Sequence, residues 1–270
     1  MLRAQAQEQK QLRSNMEFYQ QLLIACPLVF LAGFIDAIAG GGGLISLPAF
    51  YMAGLPPHFA LGTNKLTSSI GTLFSTATYI RGGYVYMRIV PVSVAGALIG
   101  SWIGAQCALL LDEQFLRWLM VVLVPVIAVF TVLKKDLFTP EERNMPQTKE
   151  QIITAIIALT IGWYDGFFGP GAGMFILLAF IGILHLNPVT ANGNAKVVNL
   201  CSNIAAVAAF AASGKIMYQL ALPCAVFSIL GHLLGAKLTI KNGAKIIKPV
   251  MLIVVLILLA TVIRDLIVNV

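Results

Sequence analysis

Residues 33–54 read GFIDAIAGGGGLISLPAFYMAG, and residues 162–182 read GWYDGFFGPGAGMFILLAFIG. The two stretches share a plan. Gly33 matches Gly162 and Asp36 matches Asp165. Each then runs into a glycine-rich break, Gly40 to Gly43 in one and Gly169 to Gly173 in the other, and continues as a half-length apolar segment. The correspondence extends downstream. Ala60-Leu61-Gly62-Thr63-Asn64-Lys65-Leu66 matches Ala191-Asn192-Gly193-Asn194-Ala195-Lys196-Val197, and Gly100-Ser101-Trp102-Ile103-Gly104-Ala105 matches Gly231-His232-Leu233-Leu234-Gly235-Ala236. Matched Asp, glycine loop, Gly-x-x-Lys and Gly-x-x-x-Gly-Ala in one order mark an internal repeat.

Around these motifs the chain is 59% hydrophobic and 11% charged over 270 residues. A soluble surface needs about twice that share of charge. Apolar windows recur at 19–38, 44–54, 59–80, 89–111, 116–133, 152–168, 173–185, 191–212, 219–237 and 249–267. Most approach the length that crosses a bilayer, whereas 44–54 and 173–185 are too short to cross alone. The reading is an all-α, polytopic integral membrane protein. A polar N-terminal tail or surface helix (1–17) precedes a first repeat (18–133), a hydrophilic linker (134–151) and a second repeat (152–270). The tail lacks the cleavage site of a signal peptide. The lipid bilayer is the expected partner, and a multi-pass place in the cell (cytoplasmic) membrane is the expected location.

Each repeat holds five apolar segments, the first two joined by the glycine break. An odd number of crossings, or three after a re-entrant hairpin, inverts the second copy relative to the first, as in many secondary transporters. Charge bias agrees in part. Lys237, Lys241, Lys245 and Lys248 cluster in one loop, expected inside, while the equivalent loop carries Asp112 and Glu113. Both termini then fall outside, against Arg3, Lys10 and Arg13. The rival, four spans per copy in parallel, puts the lysine cluster on the wrong side.

The net charge of +7 sits mostly in loops and at the N-terminus, with no basic-aromatic surface to bind nucleic acid. Cys26, Cys107, Cys201 and Cys224 all lie in apolar windows without CxxC spacing or clustered His, which reads as packing and not as a metal site. No HExxH, GxSxG or P-loop occurs. Neither an enzyme nor a cofactor is expected.

Three features carry chemistry. Glycine breaks let the backbone turn and let a ligand approach closely, and the short helices begin directly after them. Helix N-termini favour anions, so Gly41, Gly42, Gly43, Gly171 and Gly173 are candidate binding residues. Lys65 and Lys196 each lie within an apolar helix, where a charge costs about 2.5–3.5 kcal/mol and usually faces a cavity or a partner. Helical spacing groups Lys65 with Ser68 and Thr72, and Lys196 with Asn199 and Asn203; Thr63, Asn64 and Asn194 flank the lysines. Asp36 and Asp165 precede the glycine loops and suit an ion pair with the lysines, a hydrogen bond to loop amides, or proton exchange. His232 reads as a buried hydrogen-bonding residue. Gly96, Gly100 and Gly104, with Gly231 and Gly235, read as helix-contact faces.

At DAIAGGGGLISLP (36–48), LGTNKL (61–66), DGFFGPGAG (165–173) and NGNAKVVN (192–199), the chain resembles the sulfite exporter TauE/SafE family, within the toluene sulfonate uptake permease superfamily. The resemblance covers residues 18–267 and departs in the second copy, where Pro170 interrupts the glycines and Ala195 replaces the amide of Asn64. It implies transport of sulfur oxyanions or organosulfonates. The residues themselves point to a small anion at the repeat interface without naming sulfur. A passive anion channel, or a carrier of small carboxylates, uses the same residues. A homo-oligomer is left open.

Overall fold

The computed structural model describes residues 2–112, 114–115, 145–247 and 249–250, with side chains described from residue 17 onward. The windows 116–133 and 249–267, and the linker up to residue 144, lie outside the described residues. Eight principal helices are present there: α1 (Leu2–Ala39), α2 (Gly43–Met52), α3 (Pro57–Arg81), α4 (Val90–Leu110), α5 (Gln147–Phe167), α6 (Ala172–Gly182), α7 (Pro188–Ala212) and α8 (Tyr218–Asn242). No strand occurs among the described residues.

Proline and glycine set many of the boundaries. Pro57 and Pro188 open α3 and α7, and Pro91 lies in the first turn of α4; proline lacks the N–H that a first turn leaves unpaired. Asn187 caps α7, its side chain accepting from the Thr190 N–H. The tail is helical and continuous with the first span, because α1 runs unbroken from Leu2. The linker ends earlier than 151. Pro146 stands at the N-cap of α5, and Glu150 is already buried in its first turn. Helix α6 closes at Gly182, short of 185, where the chain turns through His185 at φ 50.

Among the described residues four stretches are long and apolar enough to cross a membrane: Glu17–Ala39, Val90–Leu110, Pro188–Ala212 and Tyr218–Asn242. Helix α2, with 10 residues, rises about 15 Å, half the hydrocarbon thickness. The side-chain distribution is that of a protein solvated by lipid. Leu222, Val226, Leu230 and Leu234, spaced by four along α8, are all exposed. Lys65, Lys196, Asn192, Asn194 and Asn203 are buried. Such an apolar outer stripe over a polar interior is the reverse of a water-soluble helix.

Helix packing crosses between the two halves. Helix α1 packs on α8, α4 on α5 and α7, and α3 on both α7 and α8. Exchanging α1–α4 for α5–α8 maps α1·α8 onto α5·α4, and α3·α8 onto α7·α4. The predicted glycine faces carry the closest of these contacts. Gly96, Gly100 and Gly104 abut the α5 backbone at Ala155, Leu159 and Trp163, and Gly231 and Gly235 abut α1 at Phe30 and Phe34. A methyl group at Gly100, Gly104, Gly231 or Gly235 would clash with the opposing backbone, so only glycine permits this approach there, and at Gly96 the contact would be tight.

Candidate functional site

The two glycine breaks meet at the centre. Gly40 adopts φ 78 and Gly171 φ 82, a region that favours glycine. The Met174 N–H donates to the Gly40 carbonyl at 3.0 Å, so part of the α6 N-terminus is closed by the opposite loop. A Cβ at Gly173 would lie 2.9 Å from the Gly40 carbonyl oxygen, and one at Gly43 3.2 Å from Pro170 Cα. The breaks are thus mutual contact points as well as helix starts.

Beside them lies a cavity of about 30 Å³, room for a few atoms. Its lining includes Gly42, Gly43, Gly171, Gly173, Asn64, Lys65, Ser68, Asn199, Asp36 and Asp165, all predicted from sequence. Ser46, Asn203 and His232 join them. Gly41, Thr63, Asn194 and Lys196 lie outside the lining. Thr63 accepts the Met217 N–H at 3.0 Å, which ties the loop before α8 to α3. Asn194 donates to the Thr190 carbonyl at 2.9 Å within its own helix. The glycines of the two Gly-x-x-Lys motifs admit loop carbonyls, Lys215 against Gly62 and Tyr84 against Gly193.

Both lysines are paired, and each with the other half's aspartate. Lys65 Nζ lies 2.7 Å from Asp165 Oδ1 and donates to Asn203 Oδ1 at 3.1 Å. Ser202 donates its hydroxyl to Asp165 Oδ2, and Asn203 donates to Asn199 Oδ1 at 3.3 Å. In the other cluster Lys196 Nζ lies 2.6 Å from Asp36 Oδ2 and 2.5 Å from the Asp36 carbonyl. The Gly42 N–H donates to Asp36 Oδ1 at 3.2 Å, so this carboxylate bridges a lysine and a glycine loop. His232 Nε2 stands 3.4 Å from the same Oδ2. Burial without such partners would cost each charge several kcal/mol. Ser46 donates to Asn64 Oδ1 at 2.6 Å, joining α2 to α3. The polar stripes of α3 and α7 face one another, so Asn203, on the Lys196 stripe, serves Lys65.

With both pairs intact the four ionised side chains sum to zero. The remaining positive potential comes from the starts of α2 and α6, each worth about half a unit charge at an isolated helix end, and from any proton on His232. Lys65 is therefore a hydrogen-bond donor already held by Asp165. Among the described residues no group of three or more His, Cys, Asp or Glu could hold a metal ion.

A helical, multi-pass membrane protein with broken half-helices around a buried polar cavity belongs to the class of membrane transporters, and relatives agree. The chain is 35% identical over 239 residues to a probable membrane transporter protein of Haemophilus influenzae, covering 87% of this chain and 92% of that one. It is 34% identical over 258 residues to the probable membrane transporter protein YfcA of Escherichia coli, covering 93% and 95%. A more distant relative, the probable membrane transporter protein YjnA of Bacillus subtilis, is 20% identical over 244 residues, covering 85% and 96%. Residues 25–262 match the model of the family described as Sulfite exporter TauE/SafE. The chain belongs to that family. No solved structure matches it.

Proposed function

We propose that this membrane transporter is a secondary carrier of a small anion, sulfite or an organosulfonate, in the cytoplasmic membrane. The observation that carries the reading is the cavity itself: two glycine loops, the starts of two half-helices and Lys65 converge on it. The anion enters beside Gly42 and Gly43, takes backbone N–H groups and part of the Lys65 ammonium, and leaves Asp165 held by Ser202 and Asn199. Ser46, Asn64 and Ser68 supply further polar partners. The family match supports sulfite as the first substrate to try, and the geometry supports any compact oxyanion, small carboxylates included.

The architecture fits two inverted repeats, 18–133 and 152–270. Three observations support the repeat, namely the matched order of helices, the exchange symmetry of their contacts and the crossed lysine–aspartate pairs; its inversion rests on the charge bias of the loops. Alternating access then follows from rocking one half against the other about the glycine loops. Such motion changes the helix-contact faces at Gly100 and Gly231 while keeping the pairs at the centre.

The test is radiolabelled uptake into proteoliposomes from a panel of sulfite, a sulfonate and acetate. Saturable uptake of a sulfur anion, abolished by Lys65→Met/Lys196→Met in a protein that still reaches the membrane, is expected. Undiminished uptake by that variant defeats the assignment. Counterflow, in which internal unlabelled anion drives uptake of label, separates a carrier from a passive channel once the membrane potential is clamped at zero with potassium and valinomycin, because a channel then gives no overshoot.

A further inference from the structure

The two ion-pair clusters differ most in chemistry at one matched pair of positions, where one has two serines and the other a glycine and a histidine. In the Asp165 cluster, Ser202 on α7 donates to the carboxylate, and Ser101 on α4 donates to the Ser202 carbonyl at 2.5 Å. The positions corresponding to Ser202 and Ser101 are Gly71 on α3 and His232 on α8. There the glycine makes room and an imidazole takes the place of the hydroxyl. A Cβ at Gly71 would lie 2.5 Å from His232 Nδ1, and one at Gly33 on α1 2.6 Å from it. Two glycines on two helices thus form the slot that holds this ring.

The ring's hydrogen bonds define two states. Nδ1 stands 2.9 Å from the Ser228 carbonyl, which only accepts, so Nδ1 carries a proton. Nε2 stands 3.2 Å from Thr72 Oγ1 and 3.4 Å from Asp36 Oδ2. Unprotonated, Nε2 has one lone pair, which accepts the Thr72 hydroxyl proton, with a carboxylate oxygen close beside it. Protonated, Nε2 donates to Asp36. The charged and titratable groups around it are Asp36 on α1, Lys196 on α7 reached through Asp36, and Lys65 on α3 and Asp165 on α5 across the cavity. In the neutral state of the ring these sum to zero. One proton on Nε2 makes the cavity net positive, and Asp36 links that proton to the Gly42 amide at the cavity wall.

We propose that His232 is the proton-binding site of the carrier, so that one proton from the aqueous phase and one anion are bound and released together. The proposal rests on the anion reading of the cavity. Binding is reciprocal: whatever the proton does for anion affinity, the anion does for proton affinity. The imidazole offers a nitrogen that can take up a proton beside Asp36, whereas the serine pair of the other cluster has no such group.

The experiment is uptake into proteoliposomes of whichever panel anion the wild type carries, with and without an inward acid gradient. A sulfonate whose charge is constant over the pH range is included, so that titration of the substrate is not mistaken for titration of the protein. The wild type is expected to take up anion faster with the gradient and to acidify a dye-loaded lumen as it does so. In His232→Gln, whose amide reaches Asp36 and Thr72 but does not titrate, the ratio of rates with and without the gradient is expected to fall to about one. An equal gradient response in wild type and variant, or none in the wild type, overturns the proposal and leaves the anion site standing. No uptake of any anion overturns both. Should the variant fail to fold, nuclear magnetic resonance titration of the wild type decides. The chain has three histidines, two of them, His58 and His232, buried; the midpoint of the His232 resonance, assigned by its loss in the variant or by selective labelling, must rise when a carried anion is added. An unmoved midpoint overturns the proposal.

Discussion

Removing Lys65 alone is expected to damage the fold, and removing its partner as well is expected to repair it. Lys65 and Asp165 are 2.7 Å apart with side chains 2% and 3% exposed. At an effective dielectric constant of about 20 their attraction is roughly 6 kcal/mol, most of it offset by the desolvation of both ions. In Lys65→Met the desolvation of Asp165 remains without its cation, which typically costs about 3–5 kcal/mol. For a chain of this size that lowers the melting temperature by roughly 6–20 °C. Ser202 and Asn199 soften the loss, which favours the lower end. In Lys65→Met/Asp165→Asn no charge is left buried, and the deficit should shrink by at least about 2 kcal/mol. The assay is the thermal loss of the monodisperse peak in detergent, for wild type, both single variants and the double. The double variant should melt above either single one while remaining inactive in transport. A double variant no more stable than Lys65→Met would refute the buried pair as the reason Lys65 is tolerated.

Other outcomes follow from the same contacts. Gly40→Ala, at φ 78 and against the Gly173–Met174 backbone, should abolish accumulation of folded protein, whereas Gly54→Ala, at φ 85 with nothing within 4 Å, should cost only about 1 kcal/mol in the same melt. Thr63→Val strands the Met217 N–H and should cost about 1–3 kcal/mol of stability with KM for the anion unchanged. Ser46→Ala strands Asn64 Oδ1 at the cavity wall and should raise KM several-fold in tracer uptake, with about 1–3 kcal/mol lost in the melt.

The glycine breaks, the two lysines and the two aspartates were legible because each violates the rule of its surroundings. A charge in an apolar window, or four glycines in a row, needs a cause. The helix-contact glycines were legible for the same reason, through their spacing of four. Pairing was not legible. Lys65 reaches Asp165 across 100 positions and Lys196 reaches Asp36 across 160, and only the crossing of α3 with α7 decides that each cation serves the other half. Helical spacing placed Asn203 with Lys196, yet it serves Lys65, because the two stripes face each other. His232 read as a structural residue, since its slot is made by Gly33 and Gly71 on other helices. Comparing it with Ser101, already aligned in the repeat, was the signal available. Thr63 and Asn194 flank the lysines in sequence, but a helical turn carries them away from the cavity.

The most direct test of the anion site uses selenite, a heavier analogue of sulfite, in a structure with anomalous scattering. A selenium peak in the cavity, within hydrogen-bond reach of the Gly42–Gly43 backbone and Lys65 Nζ, is the expected result. A peak elsewhere in a protein that carries selenite would contradict the assignment of the glycine loops and Lys65 as the binding site.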